Sequence, residues 1–138
     1  MKKIITKSAE ETKEFARNFA KDYLKGGILA LSGELGAGKT TFAQGFAEGI
    51  GIKDRIVSPT FLIIRQYPIP GQTNFFYHID LYRLENIDMK HSGLDEILTE
   101  PANVVLIEWA DKLGKDLPEK IVRIQLATVS EGEHEITV

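Results

Sequence analysis

Apolar positions in residues 8–25 recur at three- and four-residue steps, as Phe15, Phe19, Ala20, Tyr23 and Leu24. That is the spacing of one face of an amphipathic helix. Ser8 followed by Glu11 has capping-box spacing at its start, and Gly26-Gly27 ends it. Ile28-Leu29-Ala30-Leu31 is a short apolar run leading into glycines and reads as a strand. Residues 40–50 return to the helical period, with Phe42, Phe46 and Ile50 on one stripe and Gly51 as the stop. Beyond Gly51 the period changes to two. Residues 60–67 and 74–82 are rich in β-branched and aromatic side chains and flank Pro68-Ile69-Pro70-Gly71-Gln72, a pattern that predicts a hairpin. Residues 86–100 are polar apart from Leu94, Ile97 and Leu98 near their end, so a short helix is expected beyond Gly93, stopping before Pro101. Asn103-Val104-Val105-Leu106-Ile107 is nearly continuous in apolar character, as in a strand buried on both faces, and should sit centrally in a sheet. Residues 121–129 and 134–138, joined by Ser130-Glu131-Gly132-Glu133, predict a closing hairpin.

Composition narrows the class. A chain of 138 residues is expected to form one domain over 1–138 and to bury roughly two-thirds of its unfolded surface. Hydrophobic residues make up 43% and charged residues 27%, which is ordinary for a globular protein and argues against disorder. The balance of 17 basic and 20 acidic side chains gives a net charge of −3, without the basic footprint of autonomous nucleic-acid binding. Any RNA is therefore expected to be held mainly by partners. With no cysteine, disulfides, thiolate metal sites and thiol nucleophiles are excluded, and a reducing compartment fits. Met1-Lys2-Lys3 is basic like a secretion signal, but only Ile4-Ile5 follows, so no signal peptide is expected. Nor is there an apolar run near the roughly 18 residues of a membrane span. The cytoplasm is the expected location.

Chemistry concentrates after the run 28–31. Gly33-Glu34-Leu35-Gly36-Ala37-Gly38-Lys39-Thr40 meets the phosphate-loop spacing G-x-x-x-x-G-K-[ST], between an expected strand and an expected helix. Glycines allow a tight arc whose N–H groups point at phosphate oxygens, and the helix adds the positive end of its dipole. Glu34, Leu35, Gly36, Ala37, Gly38, Lys39, Thr40 and Thr41 are thus the expected ATP-binding residues. Lys39 would reach the β and γ phosphates. The Thr40 hydroxyl would ligate Mg²⁺, a hard cation that prefers oxygen and keeps several waters. A glycine-rich connection with an incidental lysine is the plainer alternative, and the strand and helix around the motif argue against it.

Hydrolysis also needs a carboxylate for the magnesium shell and a group to orient water, normally at strand carboxyl ends beside the loop. Asp80 follows Phe75-Phe76-Tyr77-His78-Ile79, and Glu108 follows Val104-Val105-Leu106-Ile107. Asp80 is assigned behind Mg²⁺, and Glu108 as a second metal-shell ligand or the base that positions water, with the roles exchangeable. Lys39, Asp80 and Glu108 are the expected catalytic residues; Thr40, Asp80 and Glu108 the expected metal residues. Trp109 either shields the site or faces a partner, or simply packs in the core.

These residues together resemble the bacterial TsaE (also called YjeE) ATPases. The resemblance rests on residues 33–40, on Ser58-Pro59-Thr60-Phe61, on His78-Ile79-Asp80-Leu81-Tyr82-Arg83 and on Glu108-Trp109, in that order. It implies ATP hydrolysis with Mg²⁺ in synthesis of threonylcarbamoyladenosine on tRNA. It also implies a complex with the threonylcarbamoyl transferase and its inactive paralogue, hydrolysis resetting the transferase between rounds. By the same resemblance Thr40, Asp80 and Glu108 surround magnesium, and residues 58–61 form a nucleotide-sensing switch. For Tyr82 and Arg83 an ordinary strand-end role stands beside a functional one, and for His78 a structural role beside a catalytic one.

Two other functions are open to such a loop: a small-molecule kinase, and a binding module in which nucleotide orders a surface for a partner. A kinase usually needs an arginine-bearing lid, and only Arg55, Arg65, Arg83 and Arg123 follow the loop. The fold expected is a three-layer α/β P-loop NTPase domain, its mainly parallel sheet carrying antiparallel additions near 60–82 and at the C-terminus.

Overall fold

The structure is a computed structural model, which describes residues 2–34, 38–54, 56, 64–85 and 87–138. Among them the order is β1 (Lys3–Thr6), α1 (Ala9–Ala20), β2 (Gly27–Gly33), α2 (Lys39–Gly49), β3 (Ile64–Pro68), β4 (Phe75–Asp80), α3 (Leu94–Thr99), β5 (Val104–Glu108), β6 (Val122–Ser130) and β7 (Glu133–Thr137). All seven strands join one sheet in the order β1-β7-β6-β2-β5-β4-β3. Its inner four, β6, β2, β5 and β4, run parallel. The β3–β4, β6–β7 and β1–β7 pairs are antiparallel. The parallel centre and the antiparallel additions fall where the periodicity places them. β1 was not anticipated, because four residues with only Ile4 and Ile5 apolar carry too little pattern to read as a strand.

Two apolar clusters flank the sheet and make three layers. One face presents Leu29, Leu31, Phe76, Val104, Leu106, Ile124 and Ile136 to α1 and α2. The other presents Ala30, Ile79, Val105 and Ile107 to α3 and a 3₁₀ segment, Ala110–Asp116. Every residue of β5 is buried, as its continuous apolar run requires.

Local chemistry explains the helix bounds. Ser8 caps α1, its Oγ accepting from Glu11 N at 3.1 Å. Glu11 Oε1 accepts in return from Lys7 N at 3.1 Å, one residue before the cap. The helix expected through residue 25 ends at Ala20 and tightens into a 3₁₀ turn, Lys21–Tyr23. The chain must then turn into β2 beside β5: Gly27 N donates to Asn103 O at 3.0 Å. A Cβ on Gly26, at φ 136°, would lie 1.9 Å from Pro101 O, so only glycine makes the passage. Both expected hairpins form, the first as β3 and β4; residues 60–63 of its first arm lie outside the described residues. The short helix beyond Gly93 is α3. No helix among the described residues is long and apolar enough to cross a membrane.

Candidate functional site

Strand alternation brings the site together. On β4, Phe76, His78 and Asp80 share the face that packs α1 and α2, and on β5 so do Val104, Leu106 and Glu108. Each series begins apolar and turns polar at the carboxyl end. Parallel register sets Asp80 against Glu108, and Glu108 against Leu31 of β2. The strand-end acids therefore stand beside the loop that leaves β2.

Of that loop, Gly33, Glu34 and residues 38–41 are described; Leu35, Gly36 and Ala37 lie outside the described residues, as does the expected switch 58–61. Gly38 is the N-cap of α2 with φ 94° and ψ 16°, a left-handed conformation that explains glycine there. The ring of His134, on β7, lies 3.7 Å from where a Gly38 Cβ would project. Sequence reading passed over this histidine, although alternation with Ile136 on β7 places it on the site face. Helix α2 begins at Lys39, and Thr40 in its first turn is exposed.

Lys39 Nζ lies 3.9 Å from Glu108 Oε1, with both side chains largely buried. At that separation the attraction is coulombic rather than a hydrogen bond. The same ammonium lies 5.4 Å from the centre of the Trp109 ring, within cation–π range. His78 is fully buried, and its Nε2 is 2.9 Å from Glu108 Oε2. A carboxylate can only accept, so Nε2 carries the proton; Nδ1 has no partner among the described residues. The contact gives His78 a role in holding Glu108. Asp80 Oδ1 accepts from Tyr82 N at 2.9 Å. Burial pushes the Asp80 carboxyl above the usual carboxylate range, the Tyr82 N–H opposes this, and the nearby Glu108 adds to the rise.

Trp109 does not pack in the core. It is 45% exposed and has φ 61°, the one non-glycine residue with positive φ among those described. Its ring meets that of Tyr82 at 5.0 Å between centroids, and Tyr82 is itself 57% exposed. Leu81 N donates to Glu108 O at 3.1 Å and carries the β4–β5 pairing past the strand ends, which sets the two rings side by side. Lys112 Nζ donates to the carbonyl oxygens of Tyr82 and Leu84 and lies 5.7 Å from the Tyr82 ring centre. Nothing but the Glu108-Trp109 neighbourhood pointed to this stack, and Lys112 carried no signal at all. Arg83 is exposed and takes part in none of the ion pairs found among the described residues.

The family model described as "Threonylcarbamoyl adenosine biosynthesis protein TsaE" matches residues 6–136. The tRNA threonylcarbamoyladenosine biosynthesis protein TsaE of Bacillus subtilis (strain 168) is 42% identical over 135 residues, covering 96% of this chain and 81% of its own length. The protein of the same name from Treponema pallidum (strain Nichols) is 36% identical over 135 residues, covering 97% of each. In three dimensions the chain is similar to the crystal structure of Bacillus subtilis YdiB, with a TM-score of 0.79 and 40% identity over 98% of this chain and 82% of that one. A match that runs nearly end to end, through the loop and both strand-end acids, shows that the chain belongs to the TsaE family.

Proposed function

We propose that this protein binds Mg-ATP through residues 34–41 and hydrolyses it in the cytoplasm, as a subunit of the complex that makes threonylcarbamoyladenosine on tRNA. In this reading hydrolysis resets the threonylcarbamoyl transferase between rounds. The observation that carries it is the placement of Lys39, Asp80 and Glu108 together beside the amino end of α2.

The donor set fits magnesium. It consists of the Thr40 hydroxyl and the carboxylates of Asp80 and Glu108, all hard oxygens. An all-oxygen set of this kind suits an ion that keeps most of its waters and takes one or two carboxylates, and it is a poor set for zinc. Bound there, magnesium would neutralise charge on the phosphate oxygens.

The chain's own groups do the rest. Loop amides and the α2 dipole bind the phosphates. Lys39 exchanges Glu108 and the Trp109 face for the β and γ oxygens, so the triphosphate competes with contacts already made inside the protein. Glu108, held by His78 through Oε2, has Oε1 left to orient an attacking water. Tyr82 and Trp109 form an exposed aromatic rim beside the phosphate site, suited to face the transferase subunit or its inactive paralogue and to report which nucleotide is bound. With a net charge of −3, tRNA is met only through those partners.

Phosphate release with and without the transferase complex tests the reading. Stimulation by the complex is expected, with Lys39→Ala abolishing ATP binding by calorimetry and Glu108→Gln keeping it while hydrolysis falls. Phosphorylation of an added metabolite in place of phosphate release would make the protein a kinase.

A further inference from the structure

At the opposite end of β4 and β5 lies a cavity of about 430 Å³, lined by Asn74, Phe75, Tyr77, Glu96, Glu100 and Asn103 among others. From Asn74 to Asp80 the chain runs six residues in extended form, so roughly 20 Å separates it from the phosphate site. Sheet, helix and loop each contribute. Phe75 and Tyr77 alternate onto the α3 side of β4, and their rings lie 6.4 Å apart at 56°. Phe75 is 37% exposed, on the face opposite the buried Phe76. Glu96 and Glu100 stand four residues apart, on α3 and at its C-cap, and both are exposed. Among the described residues, no lysine, arginine or histidine lines the cavity.

The walls are well fixed. Asn103 Nδ2 donates to Ile97 O at 3.0 Å, tying α3 to the start of β5. Asn74 Nδ2 donates to Ala102 O at 2.7 Å and Leu24 O at 3.1 Å. Both amide hydrogens are thereby used, and Asn74 Oδ1 is a buried acceptor with no donor among the described residues. Tyr77 OH accepts from Gln66 Nε2 at 2.9 Å, which holds its ring in place.

Two aromatic rings and two exposed carboxylates, with no basic group lining the cavity among the described residues, form a receptor for a cation with several N–H donors. We propose that this cavity is a docking site for an arginine side chain presented by a protein partner. Guanidinium matches each feature: it stacks on aromatic faces, forks onto a carboxylate and is weakly hydrated, so it enters a half-apolar cavity more readily than ammonium. Charge complementarity also sets the hand of the interface, since an acidic partner surface would be repelled by Glu96 and Glu100. Because the cavity shares no residue with the phosphate site, docking there is independent of the nucleotide reading above.

Heteronuclear NMR on the full chain tests this with the peptides acetyl-Gly-Arg-Gly-amide and acetyl-Gly-Lys-Gly-amide and with spermidine. The arginine peptide is expected to produce saturable shifts confined to residues 73–77 and 96–103, at millimolar dissociation constants. The lysine peptide should bind at least threefold more weakly. Glu96→Gln with Glu100→Gln should weaken the arginine peptide at least tenfold and leave nucleotide binding unchanged. Phe75→Ser, as a separate variant, should weaken it with both carboxylates in place. Shifts that do not saturate, that spread over acidic residues elsewhere, or that survive the double substitution overturn the proposal. Equal or tighter binding of spermidine also overturns it, and would make the cavity a polyamine site.

Discussion

Asp80 carries a charge that the folded chain tolerates poorly. Burial raises its pKa, so the folded chain binds that proton more tightly than the unfolded chain does. The contribution to stability is therefore most favourable below the ordinary carboxylate pKa and declines as pH rises through the folded value. Asp80→Asn removes the disfavoured charge and keeps an oxygen to accept from Tyr82 N–H. Its melting temperature at pH 7, measured without nucleotide, should equal or exceed the parent's, while hydrolysis, if Asp80 stands behind magnesium as proposed, falls on the order of 10- to 100-fold. A variant that melts lower would show that Asp80 supports the fold rather than the site. Glu10 has the opposite sign. The Arg17 guanidinium bonded to it at 2.9 Å holds its carboxyl below the usual range, so its contribution is present above that range and is lost as pH falls through the folded value. Arg17→Ala should return the Glu10 carboxyl to an ordinary titration, read from its side-chain carbon shift. Exposure makes the effect on overall stability small.

Helices α1 and α2 approach through glycine. A Cβ on Gly45 would lie 2.4 Å from Lys13 O, and one on Gly49 would lie 2.2 Å from Arg17 O and 2.9 Å from Ala20 Cβ. Gly49→Ala gains about 1 kcal/mol in helix propensity but loses about 1–3 kcal/mol or more by overpacking. The clash is with backbone, which cannot swing aside, so the loss should prevail and denaturant melts should show a destabilised protein. An unchanged midpoint would mean that the helices can part without cost. Nothing in the sequence marked this. Gly45 and Gly49 read as ordinary members of the period that showed Phe42, Phe46 and Ile50, because periodicity gives the buried stripe of a helix and not how near its neighbour comes. The legible elements were those with strong helical periodicity or a long apolar run, such as α1, α2 and β5. What stayed hidden depends on tertiary proximity: β1, held by pairing to β7, and the 3₁₀ segment that follows Trp109. At the candidate site, the placement of both strand-end acids beside the start of α2 was legible because each directly follows an apolar run. The His78–Glu108 contact and the Tyr82–Trp109 stack required the register between β4 and β5.

The proposed phosphate site and the hydrophobic core share their supports across the whole molecule. β2 delivers the loop and buries Leu29 and Leu31, α2 delivers Lys39 and Thr40 and buries Phe42 and Phe46, and β4 and β5 end in Asp80 and Glu108 above Phe76, Val104 and Leu106. Separation of these elements would therefore dismantle the binding residues and open the core together. Nucleotide should thus stabilise the fold as one cooperative unit rather than tighten a local loop. At 100 times the dissociation constant, linkage gives about 2.7 kcal/mol. With unfolding entropy of about 2.1 cal/mol/K per residue over 138 residues, that corresponds to a rise in melting temperature of roughly 9 °C. Calorimetry with Mg-ATP should show one transition moved by about this amount, and no movement in Lys39→Ala. If only part of the heat absorption moved, the nucleotide would be held by a unit that melts apart from the rest, and the shared support of site and core would not exist.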